Sequence, residues 1–563
     1  MDLRPLFHAA IVAIVFSGLS SAQTGTITTV AGRGSASGNE GCPDSVNGDG
    51  CKATDATLQT PTGIAFDAAG NLYISDNNDT RVRKVNTAGI ISTYAGGGSA
   101  DPGDGGPATS ASLGNGINDV AVDAHGNVYV ATNSRIRKID AKTGLISTFA
   151  GNGVVTFAGD GQQANTASIR SPQGLAFDKA GNLYIADTNN FRVRRVTPAG
   201  IIDTVAGTGN GNFSGDGGPA KSAGVSPNAV AVDATGNLFI ADGSGRVRKV
   251  DTHGIINTVA GGGRANGNNI GDGGPALQAY LPYPRGIAVD AVGNIYISEY
   301  FDNLVRKVDT NGIIHTVAGG GTNGNNPGGN GIGDNGPATS AVLSGPAGLW
   351  VDAAGNLYIA DSSHGHVRKV TFPPGPPLIS ANGVVNGASF TPGLVPNSWA
   401  TILGTNLAPV TTDWSKSIVN GKLPTSVGNV SVTIGGKPAY VYYVSPTQIN
   451  VLVPDIAFGP VQVTVKTPSG TSSAFTATSS QYGPAFFVWP NNQVVATRQD
   501  FSLAAKAGTF AGATTIAAKP GDVLILWGTA FGPTTPIAPD GVQVPSDQTY
   551  STSTLPTVTI DDV

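Results

Sequence analysis

The residues best placed to do chemistry are aspartates in glycine-rich turns. Asp49, Asp104, Asp160, Asp216, Asp272 and Asp334 each stand in a G-D-G-G-P-A segment or a relative of it. A carboxylate beside backbone oxygens is a hard ligand set, so Ca²⁺ is the first chemistry to weigh. Ca²⁺ takes roughly six to eight oxygens, however, and one Asp per segment does not fill that shell. A turn is the expected role of the segment, and no metal or cofactor is expected. Histidine is sparse: beyond the first residues it occurs only at His125, His253, His315, His364 and His366. Glutamate occurs only at Glu40 and Glu299. No G-x-S-x-G, P-loop or H-E-x-x-H pattern is present, so no residue is assigned a catalytic role.

Cys42 and Cys51 are the only cysteines, nine apart in the loop EGCPDSVNGDGCKA. Two thiols fall short of the four ligands of a structural zinc site, and redox catalysis favours Cys-x-x-Cys. One disulfide stapling the loop is expected, as in exported proteins. Residues 1–22 agree: a short head with Arg4, an apolar run over 9–19, and Ser20-Ser21-Ala22 before Gln23 read as a signal peptide. The mature protein is expected to be secreted or held in the envelope or periplasm, without a membrane span.

The elements that must position these residues are short strands. Charged residues make up 12% of the 563, with 80 glycines, so strong helix formers are scarce. The net charge of −5 gives no electrostatic reason to expect nucleic acid. Residues 174–207, GLAFDKAGNLYIADTNNFRVRRVTPAGIIDTVAG, read as four strands (a to d) separated by turns. The D-x-x-G-N turn recurs with its glycine at 70, 126, 181, 236, 293 and 355, six copies in all. A fourth-strand marker, T-[VYF]-A-G, starts at Thr93, Thr148, Thr204, Thr258 and Thr316. The sixth unit lacks it, but I-T-T-V-A-G at 27–32 supplies it ahead of the first unit. That permutation predicts an all-β, six-bladed propeller over residues 24–371, its ring closed by the N-terminal strand.

The ordered markers GDGGPA, P-x-G-[IL]-A, D-x-x-G-N-[LI]-Y-I, R-[VI]-R-K-V and T-V-A-G resemble the NHL-repeat family. That resemblance implies a β-propeller used mainly for binding, with a few enzymatic members. Departures are local: Thr132 replaces the strand-end Asp of unit two, and Leu304 and His366 replace the first Arg of units five and six.

The second Arg of each unit is Arg83, Arg137, Arg194, Arg248, Arg306 or Arg368. A residue repeated in every unit serves the architecture, so these are expected to pair with strand-end Asp76, Asp187, Asp242, Glu299 or Asp361. Function is expected where copies differ. The connections from strand d to the next strand a are long and varied: 96–118, 151–173, 207–228, 261–285 and 319–347. Candidate ligand contacts on that face are Asp104, Asp160, Asp216, Asp272 and Asp334, with Asn189 and Asn190 of a b–c loop. The Asn/Gly-rich inserts 266–269 and 322–331 are expected to be flexible.

Residues 372–377, FPPGPP, read as a stiff linker. Strand signals at 399–403, 430–434, 439–444 and 461–465 predict an immunoglobulin-like sandwich over 378–478. VVNGASF, ILGTNL and YVSPTQINVLVP resemble a C-terminal domain found on many secreted acidobacterial proteins. Residues 395–409 align with 519–533, so 479–563 read as a second, truncated sandwich with an unpaired edge. The expected function is non-catalytic binding or scaffolding, with an extracellular protein or polysaccharide as partner. The alternatives are a metal-dependent hydrolase or lyase on the propeller, and a structural envelope component.

Overall fold

The computed structural model describes residues 25–483 except 34–41, 43–47, 115, 265–269, 322–331, 374 and 421, and beyond 483 a few short paired strands. The expected signal peptide 1–22 and the inserts 266–269 and 322–331 lie outside the described residues. So does most of the expected second sandwich, where only pairs such as Ala496–Arg498 with Leu524–Leu526 are seen.

The described residues up to Phe372 form one compact unit. Its third repeat shows how the sequence makes a blade. Pro172–Phe177, Leu183–Asp187, Arg192–Val196 and Ile201–Ala206 pair as an antiparallel meander. Between the first two strands, Asp178 accepts from the Asn182 amide at 2.8 Å and from Asn182 Nδ2 at 2.7 Å. Gly181 supplies φ +82°, a conformation costly for any residue with a Cβ. The remaining D-x-x-G-N turns repeat this geometry, as at Asp352 and Asn356.

Among the described residues, six such sheets occur. Their innermost strands, Pro61–Phe66, Ile117–Val122, Pro172–Phe177, Pro227–Val232, Pro284–Val289 and Pro346–Val351, touch in that order, and the last returns to the first. The ring is closed as the permuted marker predicts. Thr26–Ala31 pairs with His366–Thr371, Ile27 lying opposite Val370, as the outer strand of the last sheet. The hydrophobic core sits between neighbouring sheets. Ala186, Val193 and Ala206 of the third blade pack on Val230, Leu238 and Ile240 of the fourth. Small residues on one side let the sheets approach and bury the larger side chains opposite.

The closest approach is at the centre. A Cβ built on Gly174 would lie 2.6 Å from Ala229 Cα, and one on Gly348 would lie 2.5 Å from Thr62 O. The glycine of P-x-G therefore lets adjacent inner strands meet.

Phe372, at the start of the expected linker, packs on Tyr296 with ring centroids 6.2 Å apart. The described residues from Pro373 on form the second unit. Leu378–Asn386, Trp399–Thr405, Gln448–Leu452, Tyr440–Val444 and Thr412–Asp413 make one sheet, and Val430–Ile434 and Gly459–Thr467 are central to another. Their facing residues, including Ile402, Val432, Val441, Ile449 and Val463, form one buried core. This is the immunoglobulin-like sandwich.

Candidate binding site in the central channel

The repeated charges are consumed inside the blades. Arg137 contacts Asp104 at 2.6 Å, Arg194 contacts Asp160 at 2.7 Å, and Arg248 contacts Asp216 at 2.6 Å. Arg306 contacts Asp272 at 2.5 Å, Arg368 contacts Asp334 at 2.7 Å, and Arg83 contacts Asp49 at 2.7 Å. The five candidate aspartates thus fall one per blade, each on its own buried arginine, and are not brought together.

The pairing with strand-end acids expected from sequence is present for Asp187, Asp242, Glu299 and Asp361, and the turn aspartates add a second, nearer partner. The strand-end acids are the more distant partners, at 3.5 Å for Asp187, 3.8 Å for Asp242, 3.2 Å for Glu299 and 3.4 Å for Asp361. Asp76 instead accepts the amides of Gln59 and Thr60. Burial pushes the carboxyl of Asp187 up to about 6, against its hydrogen bonds and Arg194.

The G-D-G-G-P-A segment can reach its arginine because it returns along the outer edge of its own blade. Gln162–Gln163 and Gly218–Pro219 each add a short fifth strand there. Asn189 is exposed, whereas Asn190 is buried with Nδ2 on Asp187 and on Thr156 O at 2.8 Å. His364 Nδ1 lies 3.0 Å from Asp361, and His366 is buried beside them. Among the described residues no group of three or more His, Cys, Asp or Glu is placed to hold a metal ion.

What differs between blades gathers instead in the central channel, a cavity of about 280 Å³ walled by the six inner strands. The middle residue of P-x-G is Thr62, Asn118, Gln173, Asn228, Arg285 or Ala347. It sits at the start of strand a, the end of the ring that carries the d–a connections and b–c loops. Three of these side chains clasp the next blade: Thr62 Oγ1 lies 3.0 Å from Ile117 O, and Asn118 and Asn228 each donate at 2.9 Å, to Pro172 O and Pro284 O.

Gln173 and Arg285 break that pattern. Arg285 Nη1 donates to Gln173 Oε1, joining the fifth blade to the third past the intervening blade. The fifth blade reaches the sixth through Ser298, whose Oγ donates to Ala347 O at 2.6 Å.

Asp119 is the other exception, standing where four of the six blades have glycine. Its oxygens accept from Val120 N at 2.9 Å and from Leu175 N of the next blade at 2.8 Å. Burial in the channel pushes its carboxyl up to about 7, opposed by those amides and by Arg285. Before strand a and after strand b of the fifth blade, the Tyr283 and Tyr300 rings lie 5.1 and 5.3 Å from Phe301, which is 67% exposed. The site therefore combines one cation, one shielded carboxyl, neutral amides and apolar walls. The signal for it was present in the sequence as the variable x of P-x-G and as the Asp119 that replaces its glycine in the second blade.

Residues 22–100, 155–214, 208–268 and 263–329 match the teneurin NHL domain, and residues 397–482 match the IPT/TIG domain. Human teneurin-4 is 34% identical over 231 residues, 36% of this chain and 8% of teneurin-4. NHL repeat-containing protein 2 of Bos taurus is 27% identical over 393 residues, 63% of this chain and 53% of that protein. The chain thus spans a small fraction of the teneurins and about half of the latter relative. A solved auxiliary nutrient binding protein from Bacteroides thetaiotaomicron aligns over 62% of this chain and 76% of its own, with 15% identity and a TM-score of 0.43. The chain is a β-propeller whose repeats are similar to the teneurin NHL domain, followed by an immunoglobulin-like domain similar to IPT/TIG.

Proposed function

We propose that the protein is an exported, non-catalytic binding or scaffold protein whose propeller recognises a protein or carbohydrate at the channel end bearing the long connections. One observation carries this reading. The charges repeated in every blade are satisfied within the blades, whereas the single-copy groups Asp119, Gln173 and Arg285 converge on one cavity. A recognition site needs such asymmetry, and a repeated scaffold does not supply it. Export is supported by the Cys42–Cys51 disulfide, with Cα atoms 5.2 Å apart. No helix among the described residues is long and apolar enough to cross a membrane. The sandwich serves to space or attach the ring.

The test is a glycan array and a surface-protein array probed with the mature chain and with R285A. A discrete set of ligands lost or weakened in R285A is expected. Identical profiles for the two proteins would refute a channel site.

A further inference from the structure

We infer that the channel mouth is a receptor for an acidic sugar, a uronate unit of a polysaccharide, with Arg285 as the counter-ion of its carboxylate. The inference rests on the binding role just proposed and adds the class of ligand.

Arg285 presents five donors, and its hydrogen bond within the chain goes to an amide carbonyl, Gln173 Oε1. That oxygen occupies the place one carboxylate oxygen would take. A carboxylate engages guanidinium through two charge-assisted bonds, each roughly twice as strong as a neutral one, so it displaces the amide. Arg285 is available for this because Ser298, and not Arg285, makes the contact with the next blade. The walls around it are aliphatic, among them Val120, Leu175 and Ile287, and such surroundings strengthen a charge-assisted bond.

Asp119 decides between kinds of anion. It is the carboxyl of the same cavity, held on Val120 N and Leu175 N, with unused lone pairs. A second carboxylate on the ligand would bring a further buried charge beside it with no second cation to match, whereas a hydroxyl donates to it. Asn118 uses Nδ2 on Pro172 O, which leaves its carbonyl to accept another hydroxyl. One carboxylate with several hydroxyls is the pattern of a uronate, not of a dicarboxylate. The cavity, about 280 Å³, stands at the small end of ligand sites, roughly 300–1,000 Å³, and takes one sugar unit rather than a folded segment.

The experiment is calorimetry on the mature full chain with D-glucuronate, D-glucose and a short neutral peptide bearing a free C-terminal carboxylate. Glucuronate is expected to bind about tenfold or more tightly than glucose or the peptide. R285A is expected to weaken glucuronate by about tenfold, with its melting temperature recorded as a control, and Q173A to bind at least as well as the native chain. R285K keeps charge without the fork, and it is expected to bind glucuronate less tightly than the native chain even if R285A does not fold.

Glucose matching glucuronate, or glucuronate affinity unchanged in R285A and R285K, would overturn the carboxylate assignment and leave a channel site standing. Preference for the peptide would overturn the sugar assignment. Silence with all three probes, together with array profiles identical for native chain and R285A, would overturn the binding reading as well.

Discussion

Arg194 holds Asp160 at 2.7 Å with one guanidinium nitrogen and faces Asp187 at 3.5 Å with the other. Arg194 and Asp187 are fully buried, while the Asp160 side chain retains 37% exposure. The two acids are therefore unequal. Removing the cation in R194M strands Asp187 without a counter-charge, and breaking a buried pair in this way costs about 3–5 kcal/mol. D160N removes a partly solvated acid and is expected to cost about 1 kcal/mol. Denaturant midpoints of the two variants should differ in that order. Equal losses would mean that Asp187 is not held charged by Arg194.

The inner glycines make a second prediction. Ala at Gly174 would place its Cβ 2.6 Å from Ala229 Cα, backbone that cannot swing aside. Forcing the third and fourth blades apart is expected to cost about 1–3 kcal/mol, seen as a lowered melting temperature. G106A is the matched control. Its Cβ would meet only Gly103 O, at 3.3 Å, so little change is expected.

These two cases mark what was legible in the sequence. The blades and the closing strand were readable because five markers recur in fixed order, and a missing marker at one end was supplied at the other. One partner of Arg194, Asp187, was readable, but the nearer one, Asp160, was not. Hairpin proximity favours Asp187, a near neighbour across the turn, and nothing local announces that Asp160, 34 residues earlier, folds back along the outer edge. The Gln173–Arg285 bridge spans 112 residues and skips a blade, so no periodicity encodes it. The variable x of P-x-G was visible, but its direction, into the channel, follows only from the ring. Variation drew attention to the long connections, while their last residues, at the start of strand a, are the ones that line the cavity.

The disulfide gives a third prediction. Cys42 and Cys51 close a loop with a sequence separation of 9. Chain-entropy arguments for a loop this short give about 2–3 kcal/mol. The C42S/C51S double variant is therefore expected to melt below the native chain by an amount that added reductant does not increase. A native chain whose melting is indifferent to reductant would mean that the staple contributes nothing to the ring.

Asp119 sets the pH dependence of the channel. Its carboxyl is pushed up from 3.8 to about 7, mainly by burial. Between those values the folded chain keeps a proton that the unfolded chain has released. Stability then falls as pH rises, by the linkage between proton uptake and folding. The contribution of the neutral acid is complete below 3.8 and is lost as pH passes through about 7. Asp187 shifts in the same direction, so the native melting curve alone does not isolate Asp119. D119G does isolate it, because glycine is what four of the other blades carry at that position. The difference in melting temperature, native minus D119G, is expected to be larger at pH 5 than at pH 8. A difference that is flat across that interval would show that Asp119 is ionised throughout, paired with Arg285 and not held neutral by the channel.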